Sequence, residues 1–203
     1  MQNKNNKKGG YTIVETMIAV SLFLVITTIG MGSLLNANLL HQKSQNMRSI
    51  LDNLSFIMED ISRNLRTGSS YHCFVAGDVI PSVTSPIVST PKSCPDGWAL
   101  AFESSTGIKN NDDDQWLYYI DNTGKIFKST AGPYSADSFI QLSPDEVVID
   151  TTVSGFSVLG AEGVATDLQE PFVTIRLIGT ITFKNVVTSF SLQTSVSQRL
   201  VDI

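Results

Sequence analysis

The chain has 203 residues, a formal net charge of -5, 42% hydrophobic residues and 16% charged ones. Such a length holds one globular domain of the usual ~100–150 residues plus an appendage. The few basic residues beyond the tenth position are scattered and form no positive stripe for a phosphate backbone, so nucleic-acid binding is set aside. In chain order, the first feature is a short basic segment in which Lys4, Lys7 and Lys8 face no acid; without residues 1–10 the formal charge would fall from -5 to -8. Tyr11 to Met31 follows, 21 residues with one group charged at neutral pH, Glu15. About 20 helical residues at ~1.5 Å each cover the ~30 Å of bilayer hydrocarbon, so this run is long enough to span a membrane. The preceding lysines predict a cytoplasmic N-terminus and export of everything after about residue 35. A secretory signal peptide would have a shorter apolar region closed by small residues; here Gly9 and Gly10 lie ahead of the run.

After Met31 the pattern turns amphipathic. Met47, Ile50, Leu51, Leu54, Ile57, Met58, Ile61 and Leu65 recur at steps of three and four, with Arg48, Asp52, Glu59, Asp60 and Arg63 between them. Glu59 and Arg63 stand at i and i+4 with the acid first, the favourable order. Gly68 supplies a stop signal, so the spacing predicts one helix from about residue 11 to 66. Gly30 and Gly32 mark its junction, either as a bend or as a place of close backbone packing.

The remainder reads as strands and turns. YHCFVA, WALAFE, QWLYYID, GKIFKS, EVVID, FSVLG, PFVTIRLIG and VVTSFSLQTSVS are β-branched or aromatic runs bounded by turn residues. The segment DNTGK predicts a hairpin turn with Gly124 at positive φ. Gly77 to Gly97, with Pro81, Pro86, Pro91 and Pro95, predicts a long irregular loop. The fold class expected is α+β, a long N-terminal helix packed on an antiparallel sheet. Four segments follow: 1–10 as a leader, 11–35 as a membrane-spanning helix, 36–67 as its amphipathic continuation and 68–203 as an exported β-rich head.

The string KKGGYTIVETMIAVSLFLVI resembles the leader and N-terminal helix of type IV prepilins and pseudopilins. The resemblance covers ~30 residues: basic leader, glycine, aromatic residue, glutamate at fixed spacing and apolar helix. It implies peptidase cleavage between Gly10 and Tyr11, methylation of the new Tyr11 amine, and a role for Glu15 in neutralising the Tyr11 amine of a neighbouring subunit. It also implies prepilin peptidase, a polytopic platform protein and sibling pilins as partners, with membrane lipid around the helix before assembly. Many major pilins have proline where this chain has Gly32, which leans the reading toward a minor pilin or pseudopilin of a pilus, competence or type II secretion filament. A carboxylate in a helix that enters lipid costs ~2.5–3.5 kcal/mol on insertion scales, an independent reason to expect a partner for Glu15 or a position from which it reaches water. The rival reading is a signal-anchored surface protein with a ligand-binding head that never polymerises.

Cys73 and Cys94 fall on the exported side. A disulfide closing ~20 residues, worth ~3 kcal/mol on the chain-entropy estimate, is the default in an oxidising compartment. Reduced thiols are the alternative, and zinc, with His41 and His72 as the only supplementary imidazoles, is a third. Asp112, Asp113 and Asp114 are weak calcium candidates, since some pseudopilins bind that ion, but the run lacks the spacing of a calcium loop and reads first as a solvated turn. No catalytic motif stands out, and nothing in the sequence asks for a cofactor.

Overall fold

The computed structural model describes residues 10–80, 90–108, 111–132, 138–162, 169–184 and 186–199. The chain divides into two units, Met1–Gln45 and Asn46–Ile203. One helix, α1 (Ile13–Thr67), contributes to both. Within the first unit it is long and apolar enough to cross a membrane, and its apolar window is 0% buried. It passes unbroken through Gly30 and Gly32, and no heavy atom lies within 4 Å of where a Cβ would stand at either.

In the second unit α1 buries Ile50, Leu54, Met58, Ile61 and Leu65, one stripe at steps of three and four. The helix ends through Gly68, whose amide donates to the Asn64 carbonyl. Gly68 does not take positive φ; that falls to Ser70, at 54°. The glycine is required instead because a Cβ would stand 2.4 Å from the Phe102 ring.

Among the described residues two five-stranded antiparallel groups follow, where the sequence predicts one sheet. The first contains β1 (Ser69–Phe74), β3 (Ala99–Glu103), β4 (Trp116–Ile120), β5 (Ile126–Ser129) and β6 (Ile140–Gln141) in that spatial order. The second runs β10 (Val186–Ser197), β9 (Phe172–Phe183), β8 (Gly155–Leu159), β2 (Cys94–Gly97), with β7 (Val147–Ile149) also pairing to β9. The eight apolar runs all form strands. The predicted loop Gly77 to Gly97 is corrected at its end, where Cys94–Gly97 pairs with β8; its residues 81–89 lie outside the described ones. Gly124 has φ 75° in the predicted turn, where Asp121 accepts from the amides of Thr123 and Lys125.

The α1 stripe, Leu100, Phe102, Tyr118 and Ile126 of the first sheet, and Phe156, Ile175, Leu177 and Ile181 of the second belong to one core. β3 is buried along its whole length because its other face, through Ala99 and Ala101, meets a smaller cluster with Phe74 and Leu117. Period-two alternation along β9 puts Val173, Ile175, Leu177 and Ile181 inward.

Candidate functional site

At the start of α1, Gly10 and Tyr11 are exposed, Tyr11 at 85%. Thr12 and Glu15 form a reciprocal cap: the Glu15 amide donates to Thr12 Oγ1 at 3.3 Å, and the Thr12 amide donates to Glu15 Oε2 at 3.4 Å. Each side chain satisfies an amide that the first helical turn would leave without an acceptor. The carboxylate also sits at the positive end of the helix dipole. The Thr-x-x-Glu spacing that encodes this cap is present in the sequence at Thr12 and Glu15. Glu15 thus has a local role that needs no second chain. Its neighbours Ile13, Val14, Met17 and Ile18 are all exposed apolar residues, so the carboxylate stands on a surface otherwise fit for lipid or for other helices.

Within the second unit, Asp60 on α1 is the centre of a polar cluster set against the first sheet. Lys128 donates to Asp60 Oδ2 at 2.9 Å and Tyr118 donates to the same oxygen at 3.0 Å. Asn64 donates to Asp60 Oδ1 at 3.1 Å and to the Tyr118 hydroxyl at 2.9 Å. Burial works against the charged carboxyl, but hydrogen bonding and charge from Lys128, with the hydroxyl and amide donors, outweigh it and hold Asp60 below the ordinary carboxylate range. Burial pushes the Tyr118 phenol far above its usual value. Lys128 also lies over the Trp116 ring, 4.4 Å from its centroid. The Lys128 and Tyr118 bonds to Asp60 and the Asn64 bond to Tyr118 fasten helix to sheet, and the Asn64–Asp60 bond within α1 orients the carboxylate for them. No sequence signal joined positions 60 and 128, because their meeting depends on strand register.

The cysteines are brought together. Cys73 of β1 and Cys94 of β2 form a disulfide with Cα atoms 5.9 Å apart, both buried. Gly97 is obligatory beside it, since a Cβ there would stand 2.2 Å from Cys73 Sγ. His72 points to the other face of β1, tilted against the Phe74 ring with centroids 4.8 Å apart, and hydrogen-bonds the Thr90 carbonyl through Nδ1. His41 contacts Gln45 along α1.

Asp112, Asp113 and Asp114 form a short 3-10 turn. Asn111 caps it by accepting from the Asp113 amide, and Asp114 accepts from the Ile108 amide at 2.7 Å. The side chain of Asp112 lies outside the described residues. Among the described residues no group of three or more His, Cys, Asp or Glu side chains is placed to hold a metal ion. Compared with known proteins, the chain matches no family, no curated sequence and no solved structure.

Proposed function

We propose that the chain is a minor pilin or pseudopilin, a structural subunit of a type IV pilus, competence or type II secretion filament. In this reading prepilin peptidase removes residues 1–10, Tyr11 becomes a methylated N-terminus, and the exposed apolar stretch of α1 moves from the membrane into a helical bundle with sibling subunits. The head, exported and closed by the Cys73–Cys94 bridge, stays outside the lipid. The observation that carries the proposal is the coincidence at one helix start: an exposed Gly10–Tyr11 junction, Glu15 within the first turn, and an apolar helix surface with 0% of its window buried by the chain's own atoms. A surface of that kind is complete only with lipid or other helices around it.

The Thr12–Glu15 cap favours one rival, a signal-anchored surface protein in which Glu15 merely closes the helix end. Two substitutions separate the readings, because glutamine serves as well as glutamate in a capping box but carries no charge. If Glu15 pairs with a neighbour's amine, Glu15→Gln and Glu15→Ala both abolish filament assembly while the chain still reaches the membrane. If Glu15→Gln assembles as the wild type does, the charge is dispensable and the assembly role is wrong. Mass spectrometry of the mature chain is the companion measurement: a methylated Tyr11 start supports the filament subunit, and an intact leader supports the anchor.

A further inference from the structure

The longest strand pair in the head is β9–β10, twelve residues each in continuous register. β9 is paired on both sides, to β10 and to β8 and β7, whereas among the described residues β10 pairs with β9 alone. The direction of each β10 backbone group follows from the strand's end. The Gln198 amide donates to Pro171, which continues the β9 register, and the Arg199 amide points the other way, to the Arg66 carbonyl at the end of α1. By the alternation of an antiparallel ladder, even-numbered residues of β10 bond to β9, and odd-numbered ones from Val187 to Ser197 direct N–H and C=O outward. Among the described residues none of those outward backbone groups has a partner.

The strand's own sequence also lacks protection. Val186–Ser197 contains no charged residue and no proline, two of the devices that blunt a free strand. It opens onto a groove of about 500 Å³ between β10 and α1, lined by Met58, Ser62 and Arg66 on the helix and by Leu192, Gln193 and Thr194 on the strand. Successive side chains of a strand point to opposite faces, so a hollow touching three in a row touches the strand's edge itself.

We infer that β10 is an edge-pairing surface whose occupant is β10 of a second copy of this chain, added antiparallel. Charge selects the occupant. A strand with no charge over twelve residues meets its own copy without repulsion and offers nothing to the charges of an acidic or basic segment. The helical wall has both signs, Glu59 paired with Arg63 of its own helix at 3.3 Å and Arg66 nearby, so it sets no single-sign field against a second copy. Outward groups must face outward groups, and full overlap centres the axis on Leu192. That register places Ser191 opposite Gln193, Ser189 opposite Ser195 and Val187 opposite Ser197, all with exposed side chains. The seam runs ~40 Å at ~3.3 Å per residue. One strand pair is small beside the ~800 Å² per partner of a standard stable interface, so the association is weak and is best trapped covalently. This inference rests on the head alone and stands or falls apart from the filament reading.

The test uses the full chain in membranes with Ser189→Cys and Ser195→Cys together. These residues are too far apart within one strand to join, and directly opposite each other in the paired copy. Mild oxidation is expected to give a species of twice the chain mass. Adding Ser191→Lys and Gln193→Lys sets lysines opposite each other across the axis and should cut that yield by about tenfold or more, since like charges directly opposite destabilise strand pairs. Ser191→Pro should do the same by removing an outward amide only, with the thermal midpoint of the head unchanged. The inference is overturned if no double-mass species forms, if the lysines leave its yield intact, or if the cysteines instead capture a protein of another mass.

Discussion

Between Ile13 and Leu40 the apolar side chains of α1 stand exposed, Ile13 at 80% and Leu34 at 72%, whereas Leu54, Ile61 and Leu65 of the same helix are fully buried. Both stretches are regular α-helix, so propensity does not separate them. The arrangement of apolar residues does. From Tyr11 to Met31 they surround the helix and leave no polar face to turn to water, so packing against one sheet would cover only part of the surface. From Met47 onward they form one stripe, and two sheets suffice to cover it. The first stretch is specified by what lies outside the chain and the second by the chain itself.

The largest expected effect tests that division directly. Leu54→Ala removes a fully buried side chain from the shared core, and it should cost ~2–5 kcal/mol of head stability in denaturant unfolding of the detergent-solubilised chain. Leu24→Ala, the same substitution at a site 56% exposed, should leave head unfolding unchanged. Equal losses at both sites would break the comparison, since the first stretch would then depend on contacts within the chain. Next in size is the bridge. Replacing Cys73 and Cys94 together by serine reopens a loop spanning a sequence separation of 21 and should cost ~3 kcal/mol by the chain-entropy estimate. Membrane retention should be unaffected, because no part of the first stretch depends on the bridge.

Much of this division was legible before any coordinates. Continuous apolarity against a three-and-four stripe located both halves of α1, and eight β-branched or aromatic runs located eight strands. What escaped did so for identifiable reasons. Cys94–Gly97 contains Pro95 and Gly97 and reads as loop; it is a strand only because β8 supplies its partner, with a register shift between Cys94 and Gly97. Ile140–Gln141 is too short to have a period. The second sheet was invisible because sheet membership depends on which strands meet, and β7 joins β9 across some thirty residues of chain. Gly68 stops the helix where the pattern predicts, but the further reason for a glycine there is the Phe102 ring, a tertiary contact that no local pattern encodes. The helix start differs, since the Thr12–Glu15 capping signature is wholly local and stands in the sequence itself.

The smallest expected effect concerns the polar fastening that only the second stretch possesses. Asp60 is held below the ordinary carboxylate range when folded, so the folded state favours its ionised form. It therefore adds stability above the unfolded carboxylate value of ~3.9, and that contribution is lost as pH falls through the lower folded value. Its side chain is 46% exposed, so solvent screening limits the gain to at most ~1 kcal/mol. Asp60→Asn keeps the shape and removes the titration. Unfolding midpoints taken from pH 6 down to about pH 2 should therefore fall less steeply for the variant than for the wild type, with the two curves converging in acid. Asp78, also held low, by Lys92 and the Val75 amide, titrates in both proteins and cancels in the difference. Parallel curves would mean that the Asp60–Lys128 pair, despite its 2.9 Å contact, contributes no net stability, and that apolar burial alone holds the second stretch to its sheets.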